Sequence, residues 1–395
     1  MNTRVMDNGA PAEAKISPDF LFTSGQGTIS ATDLGQPIAT PACDWPLLAQ
    51  QITRALDAAR AAGQANPLLI GAFAFDPAEA SCLYVPGRYK WGEKLAPAEP
   101  ASVTEAEQAP EANSVISVQS TPPASDFQAS VSAALEAFAQ GRLAKVVLSR
   151  KLTLTLHRPA DPKRVMARLM AQNPHAFHFS LPLGQGRRLL GASPELLLRV
   201  SGGEVFTHPL AGSARRSSEP AQDEMVARDL LASRKDQHEH RLVIDKIRRV
   251  LTPHCRELAI PSQPSLMSTD TLWHLGTPIA GRLNDGEASV LSLACQLHPT
   301  PALCGYPTDL ARQFIREQEP FRRALFSGIV GWCDSQGNGE WAVVIRCGVL
   351  DGHQVELFAG AGIVAGSDPA MEWAETGTKL GTMLKALGLD LEVAQ

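Results

Sequence analysis

From Lys145 onward the apolar positions fall into short runs and alternations punctuated by Gly, Asn and Asp, a pattern that predicts strands. Lys145–Arg150 (KVVLSR) and Lys151–Leu156 (KLTLTL) both read as β. Leu196–Val200 and Glu204–His208 flank Ser-Gly-Gly at 201–203, and Trp341–Leu350 and Gln354–Phe358 flank Asp351-Gly352, so each pair predicts a hairpin. Phe326–Trp332 and Trp341–Arg346 flank a polar loop from Asp334 to Gly339. Upstream, Pro67–Phe75 (PLLIGAFAF) predicts a buried strand, and Phe127–Gln140 has helical spacing. Two long helices are predicted among the strands, Gln222–Leu251 and Pro369–Leu387. Hairpins with widely spaced helices indicate an antiparallel α+β fold, not a doubly wound parallel sheet.

Composition changes this picture little. The chain has 395 residues, 44% apolar and 19% charged, ordinary globular usage. It is read as one catalytic domain over residues 1–395, interrupted by a solvated Ala/Pro/Glu-rich connector at 96–113. A net charge of −5 without a basic block argues against nucleic acid. The seven cysteines (Cys43, Cys82, Cys255, Cys295, Cys304, Cys333, Cys347) have no C-x-x-C spacing, as expected of reduced thiols in the cytoplasm. Met1–Phe20 lacks a signal-peptide core, and no apolar run approaches the roughly 20 residues of a membrane span.

The chemistry concentrates on the two helices and two strand ends. Asp236/Glu239 and Glu372/Glu375 are each spaced i, i+3, so each pair shares a helical face. Lys235 and Lys379 stand nearby. Four carboxylates from two helices suit a hard cation such as Mg²⁺, although acidic pairs beside a lysine are commonly just solvated faces. His238 and His240 lie about 200° apart around a helix and cannot chelate zinc together. Lys145 opens an apolar strand, where burial disfavours its charge and prepares a base. Glu195 follows a Ser-Pro turn in apolar sequence, where burial raises a carboxyl pKa and prepares an acid. An exposed strand-end lysine and a turn-capping glutamate are the ordinary alternatives.

Taken in order, KVVLSR, LLGASPELL, PLAGSARR, KDQHEHRLV, LWHLGTPIAG, LHPTPALCG, GIVGWCD, VIRC, LFAGAGIVAGSDP and EWAETGTKL resemble the signature of the chorismate-utilising enzymes. The likeness runs from about Lys145 to Leu387 and is greatest to isochorismate synthases of siderophore pathways. It implies two large packed antiparallel sheets with helices outside and a cleft between the sheets. It also implies a Mg²⁺-dependent, monomeric enzyme that converts chorismate to isochorismate and supplies 2,3-dihydroxybenzoate. Salicylate synthesis and a menaquinone-pathway role are the alternatives.

By the same resemblance Glu239 and Glu375 ligate the metal, while Asp236 and Glu372 hold its waters. Lys145 is the base and Glu195 the acid. Arg346, Gly360, Gly362 and Lys379 take the pyruvyl carboxylate, and Ser213 and His274 line the site. Anthranilate synthases typically lack a lysine at the position of Lys145, and Leu210 stands where aminodeoxychorismate synthases carry a covalent lysine. The apolar lining of Ala302, Leu303, Phe326, Ile345 and Phe358 resembles the members that do not eliminate pyruvate.

Overall fold

The computed structural model describes residues 18–95, 114–284, 286 and 289–390. The proposed connector at 96–113 lies outside them. Among the described residues two large sheets of ten and eight strands dominate, with a third of three strands, and every strand pairing is antiparallel. This is the α+β architecture expected.

The sheets face each other across a core to which both contribute. Phe20, Phe22 and Phe179 come from the ten-stranded sheet, and Ile70, Val330 and Ala342 from the eight-stranded one. Helices cover the outer faces. Trp45–Ala61, Arg234–Leu251 and Val290–Leu297 pack on the eight-stranded sheet. Pro162–Gln172 and Pro369–Leu387 pack on the ten-stranded one. Among the described residues no helix is long and apolar enough to cross a membrane.

Local sequence explains several boundaries. KVVLSR and KLTLTL form one strand, Lys145–Leu156, paired along its length with Gln354–Val364. Gly202 and Gly203 supply the two positive φ angles that close the Leu196–Ser201/Glu204–His208 hairpin. Asp368 caps the Pro369–Leu387 helix by accepting from the amides of Ala370 and Met371, and Gly388 ends it in the left-handed region.

Two expectations need correction. The helix read from Gln222 to Leu251 is two helices, Pro220–Ala232 and Arg234–Leu251. Ser233 leaves helical geometry (φ −64°, ψ 114°), and its hydroxyl accepts from the Asp236 amide. Such a cap contributes about 1 kcal/mol and starts a new helix just before the acidic pair. Likewise Trp341–Leu350 is not one strand. Gly339–Val343 belongs to the eight-stranded sheet and Cys347–Asp351 to the ten-stranded one. Between them Arg346 adopts a left-handed φ of 50°, uncommon for a side chain of its size.

Candidate active site

The chain crosses between the two large sheets at Ser193–Glu195 and again, in reverse, at Val344–Arg346. The crossings lie side by side, tied by hydrogen bonds from the Val343 amide to the Glu195 carbonyl (3.1 Å) and from the Ala192 amide to the Arg346 carbonyl (3.1 Å). Glu195 and Arg346 therefore share one wall of a cleft of about 820 Å³. The same cleft is lined by Ser213, Asp236, Glu239, His274, Ala302, Leu303, Phe326, Ile345, Phe358, Gly360, Gly362, Glu372, Glu375 and Lys379. Lys145 lies beneath this lining, fully buried, with Nζ donating to Glu239 Oε1 at 2.8 Å. The structure thus brings together the residues singled out from the sequence for proton transfer, substrate and metal.

Burial sets the electrostatics. It pushes the Glu195 carboxyl up to about 7, against the pull of the Leu210 amide and of Lys145, Arg346 and Lys379. The Arg346 guanidinium is brought down to about 10 by burial, which leaves it charged near neutrality. Burial, reinforced by Arg346 and Lys379, holds His274 well below the usual histidine range, so its ring is neutral. His274 Nδ1 hydrogen-bonds Ser213 Oγ at 2.8 Å, and its Nε2 is buried without a partner.

The acidic groups behave as a crowded set. Burial and the charge of Glu375 raise the Glu372 carboxyl, and burial followed by the charge of Glu239 raises Asp236. Burial also opposes ionisation of Glu239, but the charge and hydrogen bond of Lys145 outweigh it and lower its pKa. Three lysines balance three of the four: Lys145 on Glu239, Lys235 on Glu372 (2.8 Å) and Lys379 on Glu375 (2.6 Å). Among the described residues no three His, Cys, Asp or Glu side chains converge on one point. The donor set nonetheless fits a hard cation that takes one or two direct carboxylates. The carboxylates come from two facing helices, repel one another, and include Glu372 Oε2, buried without a hydrogen-bond partner.

The two glycines have a purpose that spacing did not reveal. A Cβ on Gly362 would lie 2.4 Å from Glu239 Oε1, and one on Gly360 would lie 2.6 Å from Ser149 Oγ. Gly362 thus makes room for the Lys145–Glu239 pair, and the Gly360 carbonyl accepts from Lys379 Nζ at 2.8 Å. His240 is buried and bonded to the Ala211 carbonyl and Thr277 Oγ1, while His238 is exposed.

Arg150 is a cleft residue that sequence reasoning missed. Its guanidinium stacks 3.6 Å above the Trp373 ring, and Nε donates to Thr376 Oγ1 at 2.8 Å, bracing the helix that carries Glu372 and Glu375. A charged residue inside an apolar strand, the signal that flagged Lys145, was present there too.

The profile of the family described as "Chorismate binding enzyme" matches residues 91–388. A protein of Aeromonas hydrophila named for isochorismate synthase is 83% identical, with 100% of each chain covered. Isochorismate synthase EntC of Escherichia coli K12 is 48% identical over 98% of this chain and 100% of its own. A crystal structure from Bacillus anthracis, named for a 2,3-dihydroxybenzoate-specific isochorismate synthase, superposes with a TM-score of 0.86 at 36% identity, covering 96% of this chain and 98% of the other.

Proposed function

Since the chain belongs to the chorismate-binding enzyme family and is an isochorismate synthase, we propose that it isomerises chorismate by acid–base water addition between Lys145 and Glu195. With its amine in the unprotonated form, Lys145 takes a proton from water as the oxygen bonds to C2 of the ring. The ring double bonds shift, and the C4 hydroxyl leaves as water after Glu195 protonates it. One water enters and one departs, so no redox cofactor is required. The observation that supports this reading best is the Glu195 carboxyl, held near pH 7 by burial on the wall it shares with Arg346. A carboxyl poised there serves as an acid at neutral pH, an effect of roughly 10²–10⁴-fold per assisted proton transfer.

Arg346 offers a charged planar fork to the pyruvyl carboxylate. Neutral His274, fixed through Ser213, presents its unpartnered Nε2 to a substrate oxygen. Lys379 adds positive charge on the same side. The apolar lining of Ala302, Leu303, Phe326, Ile345 and Phe358 encloses the ring, and Phe326 stacks on Phe358 with centroids 5.1 Å apart.

Enzymes of this family are metal-dependent, and Mg²⁺ fits the carboxylates described. Glu239 and Glu375 would hold it directly, with Asp236 and Glu372 holding its waters. The ion would supply positive charge for the ring carboxylate. EDTA should then abolish turnover and added Mg²⁺ restore it; Mg²⁺-independent activity after exhaustive chelation would remove the site. Glu239→Ala should raise the Mg²⁺ concentration for half-activation more than Asp236→Ala, and the reverse order would overturn the assignment. Gly362→Ala, which forces a methyl against Glu239, should weaken Mg²⁺ binding about 10–100-fold, as disturbance of a ligand's support does, read by calorimetric titration.

The defining assay is chromatography of the products formed from chorismate and Mg²⁺. Isochorismate with little pyruvate is expected. Salicylate with equal pyruvate would keep the acid, base and metal assignments and overturn the non-eliminating pocket. The likeness to a 2,3-dihydroxybenzoate-specific protein supports isochorismate destined for a catechol siderophore. All seven cysteines are free, which supports a reducing, cytoplasmic setting, and the family resemblance supports a monomer.

A further inference from the structure

The Lys145–Leu156 strand has a gap in its pairing beside the cleft. One edge is fully occupied by Gln354–Val364. The other pairs with Gly305–Tyr306 at Lys145 and Val146, and with Val115–Thr121 from Lys151 onward, so among the described residues no strand faces Val147 to Arg150 on that edge. The Val147 amide reaches the Cys304 carbonyl at 2.9 Å. The Val147 carbonyl and the Ser149 amide are met by side chains instead. Arg323 Nη2 donates to the Val147 carbonyl at 2.7 Å, and Glu319 Oε1 accepts from the Ser149 amide at 2.8 Å.

We propose that Arg323 and Glu319 are positioning residues for the reaction, a side-chain pair that replaces the missing strand and fixes the base-bearing strand against the cleft walls. The pair is buried, and Arg323 Nε donates to Glu319 Oε2 at 2.8 Å while Nη2 reaches Oε1. Nη1 donates to the Leu303 carbonyl at 2.9 Å, and the Arg323 carbonyl accepts from the Phe326 amide at 2.9 Å. The guanidinium carbon lies 4.4 Å from the Phe75 ring centroid, which limits its tilt. One residue thereby links the strand of Lys145 to two walls of the pocket, to Leu303 through its guanidinium and to Phe326 through its own carbonyl.

Stability alone is a poor reason for this arrangement. Desolvating two charges offsets much of their attraction, so buried ion pairs are weak stabilisers. What the pair does supply is direction: a fork with several fixed donors and a carboxylate with two acceptors. Lys145 and Val147 are two residues apart on the same face of the strand, so a shift at Val147 is passed to Nζ. Displacement by about 1 Å can cost 10²-fold in rate.

The inference rests on Lys145 acting as the base. Arg323→Lys keeps the charge but replaces the fork by one nitrogen, which cannot serve two carbonyls and a carboxylate together. We expect kcat to fall about 10²-fold with little change in KM for chorismate, and the Ser149 amide to exchange faster with deuterium. A folded R323K enzyme with wild-type kcat and a protected Ser149 amide would overturn the proposal. Should R323K fail to fold, exchange in the wild-type enzyme decides it: slow exchange at Ser149 supports the pair, and exchange as fast as at a free strand edge refutes it. That readout does not depend on activity, so it stands even if Lys145→Ala were to retain turnover and the base assignment fell.

Discussion

Replacing Lys145 with Ala should leave a protein that binds chorismate and scarcely converts it. Its Nζ has one hydrogen-bonding carboxylate, Glu239, and no exposure to bulk water. On the proposed mechanism, removing the amine takes away the proton acceptor for the attacking water, a loss of roughly 10²–10⁴-fold in kcat if no other base takes over. It also leaves Glu239 buried without its lysine, a defect that costs about 3–5 kcal/mol when a buried pair is broken. The melting temperature must therefore be measured alongside kcat, and binding followed by calorimetry. A well-folded K145A enzyme with normal turnover would show that another group activates the water. Retained binding with lost turnover is the outcome that assigns the base.

Glu195→Gln should slow turnover strongly and also change the shape of its pH dependence. Because burial lifts the wild-type carboxyl to about 7, it holds its proton below that value and loses it above. A group that acts as an acid in its protonated form gives a kcat that falls as pH rises through about 7. Glutamine has nearly the same shape and can still accept from the Leu210 amide, now 3.4 Å from Glu195 Oε1, but it cannot release a proton. The variant should be slower by about 10²–10⁴-fold and should lose the alkaline decline. An unchanged rate would place the acid elsewhere. A slow variant that keeps the decline near pH 7 would mean that the titrating group is not Glu195.

Much of the cleft was legible because its chemistry lies in residues that violate their surroundings. Lys145 in an apolar strand and Glu195 in an apolar turn each break a burial rule that can be read without a structure, whereas the paired carboxylates, Ser213, His274, Arg346 and the apolar lining were singled out by the family resemblance. Tertiary geometry was not legible in the same way. Nothing in the apolar run from Trp341 to Leu350 signals that it changes sheets at Arg346, since both halves carry strand-like residues and only the backbone angle marks the step. Ser233 was a readable cap that the strong flanking helical pattern concealed. The Pro162–Gln172, Val290–Leu297 and Thr308–Gln318 helices are short and take much of their stability from packing, which sequence does not show, and the 17-residue Trp45–Ala61 helix also went unpredicted. Arg323 and Glu319 lie just past the Thr308–Gln318 helix and drew no notice in the sequence; what makes them unusual is a gap in a strand about 170 residues away.

The two side-by-side crossings also divide the cleft into a stiff coordinate and a soft one. Glu195 and Arg346 ride on adjacent, hydrogen-bonded joints, so when the sheets slide or splay, both groups travel together and their separation is conserved. Lys145 and Glu239 have no such common mount, since one is anchored in the ten-stranded sheet and the other on a helix packed against the eight-stranded sheet. Relative motion of the layers is thus taken up between Lys145 and Glu239 while Glu195 keeps its distance from Arg346. On the proposed mechanism, heat, pressure or a distant core mutation should erode proton abstraction by Lys145 before it erodes protonation of the leaving group by Glu195.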